Sequence, residues 1–163
     1  MVDKGQMKDT IKRTLFELGD KYASDDAVSL VWCTGYVESG YRYLKQIKGP
    51  ARGFFQLEPS TCVSAVENYF KYRKELQMKA AIVSDTPDSL WGSSSKGRWD
   101  SVMESNIKAG IIHCRIKYWR VPAPMPDSIE GYAKYWKKYY NTLLGKGEVK
   151  GFLKKVEKYA DFI

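Results

Sequence analysis

Histidine and cysteine are scarce in this sequence. Its 163 residues include a single histidine, His113, and three cysteines that lie far apart, Cys33, Cys62 and Cys114. A protein metal site needs clustered ligands, and a disulfide scaffold needs an even, denser set of cysteines. The sequence therefore predicts no metal or other cofactor. It also predicts three buried free thiols in a protein made in a reducing compartment.

Long apolar runs are also missing. No stretch approaches the ~20 apolar residues that a membrane-spanning helix needs. Residues 1–19 are mixed in polarity and lack the apolar block of a signal peptide. We therefore expect no membrane span and no signal peptide.

The bulk composition is that of a globular chain. Hydrophobic residues make up 44% of the sequence, and 163 residues are enough for one domain with a sizeable core. We find no repeat and no linker, so residues 1–163 are predicted to form a single domain. Strand patterns are scarce, and the predicted fold class is mostly α.

The charge is strongly positive. Lysine and arginine number 27 against 19 acidic residues, a net charge of +8. A basic surface attracts polyanions, which include nucleic acid, anionic lipid headgroups and the bacterial cell wall. Charge alone does not choose among these partners, and a solvated basic surface without a special partner explains it equally well.

Apolar periodicity and helix-breaking residues predict a series of helices. Residues 85–100, which contain Trp91 and Trp99, are predicted to be either a lid over a substrate or a solvent loop anchored by its tryptophans. The predicted helices cover residues 7–22, 25–38, 60–74, 74–84, 101–120, 127–144 and 149–159.

The second predicted helix is apolar on most faces, so we expect it to be central and buried. Asp25 or Asp26 is its predicted N-cap. Glu38 lies at its C-terminal end. The negative end of the helix dipole and partial desolvation both favour a protonated carboxyl there. A general acid that works near neutral pH needs this tuning.

The segment after this helix contains several glycines and returns in a short irregular ribbon. It closes with the run Gly53-Phe54-Phe55-Gln56-Leu57, followed by a second carboxylate, Glu58. Two carboxylates that bracket one loop suggest a pair that flanks a glycosidic bond.

Glu38-Ser39-Gly40 followed by this Gly53–Leu57 run resembles the lysozyme-like superfamily, in particular goose-type lysozymes and soluble lytic transglycosylases. Phe54 and Phe55 stand where the family usually has Leu and Met. Residues 106–110, Asn-Ile-Lys-Ala-Gly, are similar to the family's Asn-Ile-x-x-Gly helix. Tyr140-Asn141 is similar to its Tyr-Asn motif.

The resemblance implies a lysozyme-like fold with a small irregular β or loop segment beside the active cleft. It also implies a muramidase that cleaves the β-1,4 bond between N-acetylmuramic acid and N-acetylglucosamine. Glu38 matches the general acid. Goose-type lysozymes carry an acidic residue after the position of Leu57, whereas transglycosylases generally carry an apolar one. Glu58 therefore favours hydrolysis, with lytic transglycosylation to 1,6-anhydro products as the alternative. Glu58 could equally serve only as a charge or cap at the start of the next helix.

The resemblance also nominates substrate-binding residues. Gln56 would hold an N-acetyl group or a water, because its amide both donates and accepts hydrogen bonds. Tyr140 and Asn141 would contact the sugar or the acid, although an ordinary aromatic helix stripe with a surface amide fits their spacing as well. The full set of expected substrate-binding residues is Ser39, Tyr41, Gly53, Phe54, Gln56, Tyr140 and Asn141.

Aromatic and basic residues add weaker candidates. Some aromatic rings could stack on sugar faces, although most aromatics at helical spacing belong to a core. Lys45, Lys48 and Arg52 could attract an anionic wall, or they could be ordinary solvated cations. The candidate stacking residues are Tyr41, Tyr43, Trp91, Trp99, Tyr135 and Trp136.

The expected partner is a peptidoglycan glycan strand, met by a monomer, and we expect no nucleic acid. By resemblance alone, the size and the absence of a signal fit a phage lysin made in the host cytoplasm that acts at the wall, or a virion-associated wall-degrading protein. Three alternatives stay open. They are an inactive lysozyme-like module that binds wall or builds a phage particle, a nucleic-acid binder, and a membrane-active helix at residues 149–159.

Overall fold

The computed structural model describes residues 1–142 and 144–163. Over these residues the chain is all-α, in line with the predicted mostly α class, and it has eight helices where the sequence predicts seven. Short 3₁₀ turns follow several of them, and a π-helical turn, Lys137–Asn141, continues the seventh. The helices are α1 Lys4–Leu18, α2 Asp25–Ser39, α3 Pro59–Asn68, α4 Lys74–Ser84, α5 Lys96–Ser105, α6 Ile107–Trp119, α7 Ile129–Trp136 and α8 Val149–Val156.

Helix α2 lies at the centre of the fold, as its apolar sequence predicts. It packs against α1, α6, α7 and α8, and most of its residues are buried. Ser24, rather than Asp25 or Asp26, is its N-cap, because the Ser24 hydroxyl accepts a hydrogen bond from the backbone N–H of Ala27 at 3.2 Å. The two aspartates occupy the first turn, where their charges favour the positive end of the helix dipole.

Residues 40–58 connect α2 to α3 and form the predicted irregular ribbon. Two isolated antiparallel bridges, Lys45–Arg52 and Arg52–Leu57, hold it, and no strand forms in the described part of the chain. Arg52 and Leu57 exchange backbone hydrogen bonds of 2.9 and 3.1 Å. The ribbon therefore folds back on itself before the chain enters α3.

The predicted helix over residues 101–120 is two helices. Asn106 ends α5 and caps α6, because its side-chain oxygen accepts from the Ala109 N–H at 2.8 Å. A side chain that offers the backbone this bond competes with helix continuation. The break turns α6 away from α5 and gives α6 its own buried face.

Residues 85–100 form a segment anchored to the core and not an open lid. Helix α5 already starts at Lys96, capped by Ser95, and both tryptophans of the segment are fully buried. Trp91 and Trp99 pack on the ring of His113 at centroid distances of 5.0 and 4.5 Å. The two tryptophans thus anchor the segment to the core, and their rings are not available to a substrate.

The three cysteines are buried, as predicted. Cys33, Cys62 and Cys114 are buried free thiols. Burial raises the pKa of the Cys33 and Cys62 thiols to about 12, so both stay protonated. Within the described residues there is no cluster of candidate metal ligands and no helix long and apolar enough to cross a membrane.

At Gly53 the ribbon comes close to the backbone of α5. Its φ of +69° is left-handed, and a Cβ there would lie 2.4 Å from the backbone oxygen of Met103. Gly40, at the C-cap of α2, has a similar φ of +60° but open space around it.

We predict that Gly53→Ala lowers the free energy of unfolding by about 3 kcal/mol, since it adds a backbone clash to left-handed strain. Gly40→Ala is the matched control and should cost only about 1 kcal/mol, because it adds strain alone. Urea denaturation of both variants measures the difference. Equal losses would show that the ribbon does not depend on close approach to α5.

Candidate active site

An open cleft of about 980 Å³ lies between the ribbon and the segment that follows α7. Its walls come from the end of α2, from the ribbon, from α6 and from residues 140–142 and 144–147. Five of the sequence-predicted site residues line it together, although they are spread over a hundred positions of the chain. They are Glu38, Gln56, Glu58, Tyr140 and Asn141.

Glu38 is the most desolvated carboxyl of the cleft. Its Oε1 accepts a hydrogen bond of 2.8 Å from the indole N–H of Trp136. Burial raises the pKa of Glu38, while the Trp136 hydrogen bond and the charges of Lys117 and Lys155 oppose that rise. Desolvation wins, so the pKa is raised in the direction that the sequence predicts. A carboxyl of this kind can hold a proton at a pH where surface carboxylates are ionised.

Helix α7 places the tryptophan that holds Glu38. Ser128 caps α7 by accepting from the Gly131 N–H at 3.2 Å. Trp136, in its last turn, is buried against Phe152 of α8 at a ring-centroid distance of 5.3 Å. The indole is thus fixed by packing, and its N–H reaches the acid at the end of α2.

Glu58 lines the same cleft but is exposed. It occupies the N-cap position of α3, and its side chain makes no capping hydrogen bond. Its Oε2 accepts from the Ser60 hydroxyl at 3.3 Å. The alternative that Glu58 caps α3 through its side chain is therefore not what the structure shows, although its charge still favours that helix terminus.

The π-helical turn brings Tyr140 and Asn141 to the cleft. The hydroxyl of Tyr140 donates to the backbone oxygen of Phe55 at 2.7 Å, which ties this turn to the ribbon. The side-chain oxygen of Asn141 accepts from Lys137 Nζ at 3.0 Å. π turns are rare and occur frequently at functional sites.

Gln56 occupies a strained position in the ribbon. Its φ is +47°, and its side-chain NH₂ donates to the Gly53 oxygen at 2.8 Å. This bond uses one of its amide donors within the ribbon, and the other groups of the amide are open to a ligand.

The structure places the other four expected substrate-binding residues outside the cleft lining. Ser39 is buried, with its hydroxyl donating to the Gly35 oxygen at 3.1 Å. Tyr41 is 1% exposed, and its hydroxyl donates to the Trp32 oxygen at 2.7 Å. Phe54 packs edge-on against Tyr41, and Gly53 faces α5.

Of the aromatic candidates for stacking, Tyr43 alone lies on the surface of the cleft in the described structure, with 49% of its area exposed. Tyr41, Trp91, Trp99, Tyr135 and Trp136 are buried. Lys45 and Lys48 line the cleft, as expected, whereas Arg52 pairs with Asp100 at 3.1 Å behind the ribbon.

Lys117 is a cleft residue that sequence reasoning missed. It lies on α6, and its Nζ donates to the backbone oxygen of Tyr140 at 3.1 Å. The same Nζ lies 4.2 Å from the centre of the Tyr140 ring. Burial lowers its pKa, and the carboxylates Glu38 and Glu58 raise it in part. In the sequence, its signal is a lysine between Ile116 and Tyr118. It directly follows residues 109–116 of α6, all of which are buried.

No protein-family model, no curated protein and no solved structure matches this chain. The site is therefore defined by its own geometry, a desolvated carboxyl at the edge of an open cleft with a second carboxylate and several lysines.

The raised pKa of Glu38 has a consequence for stability. Below the pKa of an unfolded glutamate, ~4.3, the side chain is protonated in both states and burial carries no charge penalty. As pH rises through the raised folded pKa, the folded protein must bury a charge and loses stability. Glu38→Gln removes that charge and keeps an oxygen for Trp136.

We predict that Glu38→Gln has a higher melting temperature than the wild type at neutral pH, and that the difference disappears as pH falls toward 4. Glu58→Gln is the control. Its carboxylate is exposed, so its free energy of unfolding should change by no more than about 0.5 kcal/mol. A Glu38→Gln variant that is less stable than the wild type at pH 7 would contradict a desolvated acid.

Proposed function

We propose that this protein is a peptidoglycan-degrading muramidase with Glu38 as its general acid. The observation that carries the proposal is a carboxyl whose pKa is raised by burial, hydrogen-bonded by Trp136, at the wall of an open cleft of about 980 Å³. Such a group can deliver a proton to a glycosidic oxygen near neutral pH.

Glu38 would donate its proton to the oxygen that leaves as the C–O bond breaks. Positive charge then develops at the anomeric carbon, and the new carboxylate of Glu38 faces it. The Trp136 N–H stabilises that carboxylate, so the same contact that holds the acid also supports the state after proton transfer.

Glu58 is the proposed base. An inverting hydrolase needs a second carboxylate on the opposite side of the sugar, ~6.5–9.5 Å from the first, with a water between them. Glu58 lines the same cleft, at the end of the ribbon where α3 begins, and is open to water. It would take a proton from that water as the oxygen attacks the anomeric carbon.

Lytic transglycosylation is the second candidate. Ser60 is the single polar side chain in contact with the Glu58 carboxylate among the described residues, so little orients it as a base. Without a base, the muramyl 6-hydroxyl attacks the anomeric carbon and returns its proton to Glu38, which gives a 1,6-anhydro product.

The resemblance of residues 38–61 to lysozyme-like proteins supports the proposed muramidase function, and with it a lysozyme-like fold. The proposal includes a monomer that acts on glycan strands of the bacterial wall, from a phage lysin or a virion component. An inactive lysozyme-like module that binds wall is the competing interpretation, because folds do not fix activity.

Removal of the acid should abolish cleavage. We predict that Glu38→Gln lowers the rate of soluble muropeptide release from purified peptidoglycan by about 10²- to 10⁴-fold. Glu67→Gln, the same chemical change at an exposed position of α3, should leave the rate unchanged. No release by the wild type across walls of different chemotype, or equal release by Glu38→Gln, would leave a binding or structural module.

Product mass and Glu58→Gln together assign the second carboxylate. Hydrolysis gives reducing muropeptides with one water added, and Glu58→Gln should then lose ~10²-fold or more in rate. Products that lack that water, with full activity in Glu58→Gln, would assign transglycosylation and leave Glu58 a surface charge.

The hydrogen bond from Trp136 should set the alkaline limit of activity. A general acid works in its protonated form, so activity falls as pH rises through the pKa of Glu38. Trp136→Phe removes a donor that lowers this pKa, so the pKa should rise further and the alkaline limb of the pH–rate profile should move to higher pH. Trp119→Phe, on the outer end of α6, is the control. A limb that stays in place or moves to lower pH would show that Trp136 does not act on the acid.

A further inference from the structure

A second hollow of about 550 Å³ opens on the other side of Glu38. It lies where the start of α1, the end of α2 and the end of α8 converge, and we call it the basic groove. Glu38 and Tyr43 line both this groove and the cleft of the candidate active site. A polymer that crosses Glu38 therefore passes the mouth of the basic groove.

The charge of the groove is almost entirely positive. Lys4, Arg42, Lys155 and Lys158 line it, and among its described lining residues Glu38 holds the only carboxyl. The salt bridges found in the described chain use Lys45 and Arg52, so none of these four cations is neutralised by an acidic side chain. When Glu38 is protonated, as a general acid must be, the groove carries only positive charge.

The floor of the groove is a pair of tyrosines. The hydroxyls of Tyr36 and Tyr159 lie 3.1 Å apart, and their rings meet edge to face at a centroid distance of 5.0 Å. One hydroxyl donates to the other, which leaves one O–H free to donate to a ligand. Trp32 stacks beneath Tyr36 at 5.3 Å, so the pair rests on the core.

One of the cations is held in place. Lys155 Nζ donates to the backbone oxygen of Val37 at 2.7 Å, in the last turn of α2. Lys4 Nζ lies 5.4 Å from the centre of the Tyr159 ring. Arg42 and Lys158 are exposed, and Lys158 Nζ lies beside the tyrosine pair, 5.2 Å from the centre of the Tyr159 ring. No acidic side chain in the described residues pairs with either cation, so their charges can meet a ligand.

We propose that the basic groove binds an anionic group carried by the glycan strand, a carboxylate or a phosphate, while the strand lies across Glu38. This inference rests on the proposed muramidase function. The peptide of peptidoglycan branches from the muramyl sugar, the residue next to the bond that Glu38 would cleave, and it carries free carboxylates. Wall polymers attached to the strand carry phosphates. Free cations and a hydroxyl donor suit either group.

The test compares two double variants of equal charge. Arg42→Gln with Lys158→Gln removes two cations of the groove. Lys150→Gln with Lys154→Gln removes two exposed cations of α8 that line neither hollow. Because both lower the net charge by two, a difference between them reports the groove and not long-range attraction to the wall.

Steady-state kinetics are measured on three soluble substrates. The first is peptidoglycan freed of phosphate polymers, the second is the same material with its carboxylates amidated, and the third retains the phosphate polymers. The groove variant should raise KM about three- to tenfold on an anionic substrate with kcat nearly unchanged, the range expected for two exposed charge contacts. The control variant should follow the wild type.

The change in KM on each of the three substrates identifies the anionic group that the groove binds. A KM effect on the first substrate that disappears on the amidated one assigns carboxylates, and an effect confined to the third assigns phosphate. Equal KM values for the two double variants on all three substrates would overturn the proposal.

A binding titration separates failure of the groove proposal from failure of the muramidase proposal. If the wild type cleaves nothing, the same fragments are titrated against Glu38→Gln with and without the groove changes. Weaker binding by the groove variant would support the groove as an anion site without catalysis. Equal binding would reject it.

Discussion

The hydrogen bond between Trp136 and Glu38 is the contact on which the site depends. It joins the end of the central helix α2 to the end of α7 across 98 positions of the sequence. Burial on its own would raise the pKa of Glu38 further. The indole N–H offsets part of that rise, and in the proposed mechanism it would also stabilise the carboxylate after proton transfer.

The surrounding structure keeps that contact in place. Phe152 of α8 packs on the Trp136 ring, and Tyr140 ties the π turn after α7 to the ribbon through Phe55. Lys117 then satisfies the Tyr140 carbonyl from beneath, close to both carboxylates of the cleft. Three separate segments are thus fixed around one acid by contacts that are mostly aromatic.

The position of the acid could be predicted because it follows from local rules. A run that is apolar on most faces has to be buried, and a carboxylate at its end has to be partly desolvated, so α2 and Glu38 follow from composition and spacing. Asn106 shows the limit of such rules. Its side chain stops one helix and starts another, a competition that apolar periodicity across residues 101–120 does not register.

Side-chain direction was harder to predict than helix content. Ser39 and Tyr41 lie beside Glu38 in sequence but are buried. The Ser39 hydroxyl bonds back to the Gly35 oxygen within α2, and Tyr41, after the turn at Gly40, bonds to the Trp32 oxygen. Lys117 was not expected at the cleft, because a lysine in an apolar helix is usually a solvated side chain. Its role depends on which carbonyl and which carboxylates the fold brings to it.

The most direct measurement of this account is the titration of the Glu38 carboxyl by carbon-13 NMR, with Glu38→Gln to assign its signal. A midpoint above the ordinary glutamate value of ~4.3 is the predicted result, because burial outweighs Trp136 and the nearby lysines. A midpoint at or below that value would mean that Glu38 is ionised like a surface carboxylate, and it would remove the proton donor on which the proposed chemistry rests.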